Sequence, residues 1–246
     1  MQPTKRRGCG TANQGPPPPP PLPRVLPTRP GTVRVTKYFS KSTSIYEARD
    51  AICSSAWSSG DVFLRYLESH EGHKWRDLLS SARILELGAG VGHVGIAIVG
   101  ALKPISYTFT DLFIRATAVN LALNAEHIDN SLSSVKCFSL DWFDSPATKN
   151  HAWLRDRQYN CVVAIDCVWV PDLYKPFVQW IVTLANSSAT IYLAHEHRSK
   201  ESYCLVFKEL IDCGLVIRKI PTENLPPKAC PLIALFTICR EPHLRA

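Results

Sequence analysis

The sequence predicts an α/β fold, a seven-stranded and mostly parallel sheet with helices on both faces and an antiparallel edge strand. Three observations carry the prediction. From Arg83 onward, short apolar runs alternate with segments of helical spacing. The runs show little polar alternation, as strands covered on both faces require. The last two runs are joined by residues 221–231, which hold several prolines and no helical pattern. The chain therefore turns back there instead of crossing over.

Residues 1–31 read as a disordered, basic, proline-rich tail. They hold ten of the 19 prolines, including the unbroken run 16–21. Such a run favours polyproline II and supports neither helix nor ladder. It suits a solvated leader, or a ligand for an SH3- or profilin-type partner. Lys5-Arg6-Arg7 forms a short basic cluster of the kind that directs proteins to the nucleus. The proline run argues against the amphipathic helix of a transit peptide.

Residues 32–246 read as one domain, opened by a hairpin and helices at 32–80. Alternation over 32–46 predicts the hairpin, and apolar spacing predicts a helix over 57–79. Strands are then expected at 84–87, 107–110, 135–139, 160–165, 190–194, 215–220 and 232–239. Helices are expected at 93–102, 112–125, 172–184 and 199–213.

The formal charge of +7 is unevenly placed. The first 46 residues carry eight Lys or Arg and no acid, which leaves 20 basic against 21 acidic side chains beyond them. A near-neutral domain argues against a nucleic-acid partner. No run reaches the length of a membrane span. Nine scattered cysteines without a C-x-x-C pair suit reduced thiols. Cytoplasmic residence, with the nucleus as a second compartment, and a monomer are expected.

In open α/β sheets ligands bind at the carboxyl ends of the strands. The first run ends in Glu86 and then Gly88, Ala89, Gly90 and Gly92, a loop that bares its backbone to a ligand. His93 stands where a dinucleotide loop carries its third glycine, so the spacing favours S-adenosylmethionine over a dinucleotide. Asp111 follows Gly88 by 23 residues, a spacing at which an acid can accept both ribose hydroxyls. The fourth strand ends in Asp166, and the fifth in His195-Glu196-His197. Plainer roles stay open beside these: Asp111 or Asp166 as helix caps, Trp57 and Trp142 as core, Asn120 and Asn124 as a polar helix face. His195 and His197 lack a third ligand at zinc spacing, so no metal is expected.

The series Leu85-Glu86-Leu87-Gly88-Ala89-Gly90, Val94-Gly95-Ile96, Thr110-Asp111-Leu112, Asn120, Asn124, Leu140-Asp141-Trp142, Asp166 and Tyr174 resembles the methyltransferase-like family 16 group. These are Rossmann-like, seven-stranded S-adenosylmethionine-dependent enzymes, mostly protein-lysine methyltransferases. The resemblance implies a protein substrate such as a chaperone, an AAA ATPase or a translation factor. It implies cofactor contacts at Trp57, Gly88, Ala89, Gly90, Asp111, Trp142 and Ile165. It also implies an acceptor site at Asp166 and Trp169, the ends of a D-x-x-Y/F motif in which this chain places tryptophan. Tryptophan keeps a π face for an ammonium. Asp166 is expected to orient the amine and Trp169 to form a wall. The alternatives are a methyltransferase acting on a small molecule or another protein residue, and a non-catalytic interaction module of the same fold. The adenine N6 type is disfavoured, since residues 166–169 lack its prolines.

Overall fold

The computed structural model describes residues 31–48, 56–128, 134–144, 159–184, 189–198 and 200–240. All but the last residue of the expected tail lies outside these.

β1 (Gly31–Tyr38) and β2 (Lys41–Ala48) form a separate antiparallel hairpin. Phe39 and Ser40 turn it at φ 52° and 62°, the handedness that matches strand twist in a two-residue turn. The single helix expected over 57–79 is two, α1 (Ser58–Glu68) and α2 (His73–Ser80). The chain folds back at Gly72, where an added Cβ would lie 1.9 Å from the Tyr66 carbonyl oxygen. Apolar spacing alone does not reveal that approach.

The seven expected strands all form: β3 (Arg83–Leu87), β4 (Ser106–Asp111), β5 (Val135–Ser139), β6 (Cys161–Ile165), β7 (Thr190–Glu196), β8 (Leu215–Lys219) and β9 (Ile233–Arg240). Their order is β5-β4-β3-β6-β7-β9-β8. Only β9 runs antiparallel to its neighbours. The antiparallel strand thus lies one place in from the edge, a correction to its expected position. Burial explains it. Of the first six residues of β9 five are buried, whereas β8 ends in exposed Arg218 and Lys219. Charged side chains suit an edge.

The other helices are α3 (His93–Leu102), α4 (Arg115–Leu123), the short α5 (Ala125–Ile128), α6 (Tyr174–Leu184) and α7 (Lys200–Asp212). Successive strand residues face opposite sides, and both sides are covered. Ile84, Tyr107 and Val163 pack in one core with Phe63 and Leu67 of α1 and Ile98 of α3. Leu85, Val162 and Leu193 pack in the other with Phe177 and Ile181 of α6 and Leu210 of α7. This two-sided burial removes the alternation from the strand sequences.

The hairpin is tied to the domain by polar groups. Asn120 of α4 and Asn124, its C-cap, are 0% and 1% exposed. Asn120 exchanges hydrogen bonds with the backbone of Tyr46, and Asn124 with that of Ser44. They pair with the outer edge of β2 as a neighbouring strand would. On the other face Arg34 reaches Asp61 of α1 at 2.6 Å, and the Tyr38 hydroxyl donates to the same carboxylate.

Candidate active site

A cavity of about 470 Å³ opens at the carboxyl ends of β3, β4 and β6. Its size suits a small organic ligand. Every sequence-selected site residue lines it: Trp57, Gly88, Ala89, Gly90, Asp111, Trp142, Ile165, Asp166 and Trp169.

The floor is the turn from β3 to α3. Gly88, Gly90 and Gly92 all take positive φ, at 69°, 56° and 79°, where a Cβ is strained. Gly88 is also crowded, since a Cβ there would stand 2.5 Å from that of Cys167. The loop is held from behind. The Ala89 amide donates to the Thr110 carbonyl at 2.9 Å, Thr117 Oγ1 to the Gly90 carbonyl at 2.8 Å, and Asn120 Nδ2 to the Val91 carbonyl at 2.9 Å. With its carbonyls taken by the protein, the loop keeps its shape without a ligand. α3 begins with no side-chain cap, so its first amides remain available to an anion or dipole.

Asp111 ends β4. Its carboxylate accepts from the Gly90 amide at 2.9 Å and from the Phe113 amide at 2.8 Å. A carboxylate has about four acceptor positions, so these two bonds do not exhaust it, and the residue lines the cavity. The helix expected from Leu112 begins three residues later because this carboxylate holds the intervening turn.

Glu86 lies beneath the loop at 3% exposure and accepts from the Tyr107 hydroxyl at 3.0 Å. Burial pushes its carboxyl up to about 8, with the negative charge of Asp111 adding to the shift against the donation from Tyr107. His93, first residue of α3, is pulled down to about 4 by burial. Its Nε2 lies 3.1 Å from the Tyr38 hydroxyl. That hydroxyl gives its proton to Asp61, so the network assigns the imidazole proton to Nε2. Nδ1 is then a buried acceptor without a partner among the described residues.

The far wall comes from β6 and β7. Ile165 and Ala194 are register partners, and the Asp166 amide donates to the Ala194 carbonyl at 2.8 Å. Asp166 has φ 52°, a left-handed conformation that aspartate tolerates better than most residues. The pairing sets Asp166 beside residues 196–198. Arg198 grips the carboxylate with both arms, Nη1 to Oδ1 at 2.9 Å and Nη2 to Oδ2 at 2.5 Å, and Nη2 also meets Glu196 at 2.7 Å. The Glu196 amide adds a bond to Oδ1 at 3.3 Å. The Asp166 side chain has 0% exposure. In this structure its acceptor sites face Arg198 and the Glu196 amide. The guanidinium lies 5.2 Å from the centre of the Trp57 ring. Trp57 and Trp169 are each 45% exposed at the mouth.

Sequence reasoning missed Arg198, although a cation two residues past a strand end beside another strand's terminal acid was a usable signal. It also passed over the apolar rim of Leu112, Phe113 and Phe143, exposed by 50%, 63% and 64%. Short turns after strand ends give no periodicity from which to read it.

Sheet order, loop and crevice define the architecture of a seven-stranded methyltransferase. Solved structures share the fold. SMU.776 complexed with SAH superposes with TM-score 0.57 at 13% identity, over 84% of this chain and 55% of that one. Precorrin-6y C5,15-methyltransferase from Geobacter metallireducens gives 0.51 at 12%, over 80% and 93%. The chain belongs to the lysine methyltransferase family, whose profile matches residues 42–210. It is 36% identical over 99 residues to protein-lysine N-methyltransferase rrg1 of Schizosaccharomyces pombe, covering 39% of this chain and 32% of that protein. It is 28% identical over 154 residues to mouse protein-lysine N-methyltransferase EEF2KMT, covering 57% and 45%. The chain thus spans about a third to a half of the length of these relatives.

Proposed function

We infer that this protein transfers methyl groups from S-adenosylmethionine to a lysine side chain of a protein substrate. One observation carries the reading: a single crevice gathers the glycine loop and Asp111 with the aromatic mouth of Trp57 and Trp169. Family membership supports the same chemistry.

The residues fit that cofactor. Asp111 offers open acceptor positions for sugar hydroxyls. Trp142 stands beside the loop, with ring atoms 3.4 Å and 3.5 Å from where a Gly88 Cβ would be, and so can flank a base. The buried carboxyl of Glu86 is costly as a lone anion, and a cationic ligand relieves that cost. When bound, the cofactor supplies an activated methyl on a sulfonium centre. The protein's remaining task is alignment and exclusion of water. Trp57 and Trp169 form the walls of an acceptor slot whose apolar faces disfavour an ammonium's hydration. The acceptor must shed a proton to expose its lone pair, and that proton leaves through solvent at the open mouth. Trp57 and Trp169 would then hold the neutral nitrogen toward the methyl that the cofactor would supply, its sulfur leaving as the thioether.

Chaperones, AAA ATPases and translation factors are the substrate classes to screen first, and the cytoplasm is the compartment in which to look. No helix among the described residues is long and apolar enough to cross a membrane.

The test is transfer of labelled methyl from S-adenosylmethionine into lysate protein, with the modified side chain identified by mass spectrometry. Label on lysine is expected. Label only on small molecules or on another residue type overturns the acceptor assignment. Calorimetry with no cofactor binding overturns the enzyme.

A further inference from the structure

We propose that Arg198, held in place by Asp166, is the charged group that faces the acceptor amine. The inference rests on the lysine methyltransferase reading and refines its acceptor site. Arg198 lines the cavity with its side chain 34% exposed, while the carboxylate behind it has no exposed surface. An entering amine therefore meets the guanidinium first.

Displacement of Arg198 by the substrate is the rival possibility, and the geometry disfavours it. The guanidinium makes two parallel bonds to Asp166, a third to Glu196, and stacks over Trp57. An ammonium cannot reproduce the planar fork. It would also have to compete from solution against a group tethered in the same chain.

A fixed cation in the slot performs the step that the chemistry lacks. Free lysine titrates near 10.4. Asp166 and Glu196 favour the ammonium, and Arg198 offsets them, so the amine titrates lower than it would beside the two carboxylates alone. The neutral amine, ready to attack, is then present at lower pH. Asp166 and Glu196 keep the guanidinium where it acts and prevent it from following the solvent.

Other titrating groups face this region. His195 and His197 sit at the end of β7, and Glu86 and Asp111 lie across the cavity. Burial lowers His195 from its ordinary value, so it titrates on the acid side of the amine. Saturating cofactor fixes the state of Glu86.

The experiment measures initial rates of methyl transfer into lysate protein, at saturating S-adenosylmethionine and limiting substrate, across roughly pH 6 to 10. Wild type is compared with Arg198→Met and Arg198→Lys. The acid limb should move up by about one pH unit in the methionine variant and stay near its original place in the lysine variant. Calorimetric cofactor binding verifies each fold. Arg198→Gln, which keeps donors toward Asp166 without the charge, should show the same displacement if the methionine variant does not fold. An unmoved limb with intact lysine labelling overturns this inference alone. Faster transfer at every pH on removing Arg198 also overturns it, since the guanidinium would then be a plug. A wild-type protein that labels no lysine overturns the underlying reading as well.

Discussion

Asn120 and Tyr46, 74 residues apart, exchange a reciprocal pair of hydrogen bonds: the Tyr46 amide donates to Asn120 Oδ1 at 2.7 Å, and Asn120 Nδ2 donates to the Tyr46 carbonyl at 3.1 Å. The same Nδ2 holds the Val91 carbonyl of the glycine loop. One buried amide therefore joins the N-terminal hairpin to the floor of the crevice. Asn120→Ala leaves three backbone groups short of partners. Each unsatisfied buried group costs about 1–3 kcal/mol. A loss of about 3 kcal/mol, after partial relaxation, is expected in urea denaturation. Cofactor affinity should fall too, although the residue is not among those lining the cavity. Unchanged affinity would show that the loop holds its shape alone.

Glu86 makes cofactor binding pH-dependent. Burial, with Asp111 adding, raises its carboxyl from 4.5 to about 8. Below that value the free protein carries the proton. A cationic ligand favours the carboxylate and expels it. Affinity should rise with pH toward 8, by at most tenfold per unit, and level off above. Calorimetry in buffers of different ionisation heat reads the proton release directly, and Glu86→Gln should abolish it. The unliganded protein shows the opposite trend. Between 4.5 and about 8 the folded chain binds a proton that the unfolded chain has lost, so this group's contribution to stability declines as pH rises.

Two glycines of α3 should respond in opposite directions to alanine. A Cβ at Gly95 would lie 2.2 Å from Phe109 Cε1 and 2.5 Å from Glu86 Oε2, whereas at Gly100 it meets nothing nearer than 3.9 Å. Gly95→Ala should cost about 2 kcal/mol by overpacking. Gly100→Ala should gain about 0.5 kcal/mol from helix propensity. Thermal unfolding of the two variants checks the contrast, and equal effects would contradict the close approach of α3 to the sheet.

Asp111→Ala should weaken S-adenosylmethionine binding by roughly 100-fold, the loss of two charge-assisted bonds. It also strips the Gly90 and Phe113 amides of their acceptor, so a smaller drop in unfolding temperature should accompany it. Asp111→Asn, which retains one acceptor oxygen, should fall between. Affinity within a factor of three of wild type in the alanine variant would remove Asp111 from the binding site.

Strands were easiest to read because burial on both faces leaves compact apolar runs; Cys161–Ile165 is one such run, and all but its last residue are buried. The glycine loop was legible because positive φ forces its glycines into the sequence. What escaped was long-range. Asn120 and Asn124 gave only a polar spacing, since their partners lie 74 and 80 residues away. The clasp of Arg198 on Asp166 depends on β6 and β7 lying side by side, which pairing decides and composition does not. The break at Gly72 and the inward place of β9 were hidden for the same reason: each is fixed by a backbone approach between segments.

The inward place of β9 bears on how the protein is made. Residues 233–240 are the last of the sheet to leave the ribosome, yet they fill the gap between β7 and β8. Until they arrive, β7 has one bare flank and β8 has no neighbour. Synthesis at about 5–20 residues per second leaves that flank open for seconds. An open flank is a template for foreign strands. A ribosome stalled shortly before codon 233 should therefore display a chaperone-binding, aggregation-prone intermediate.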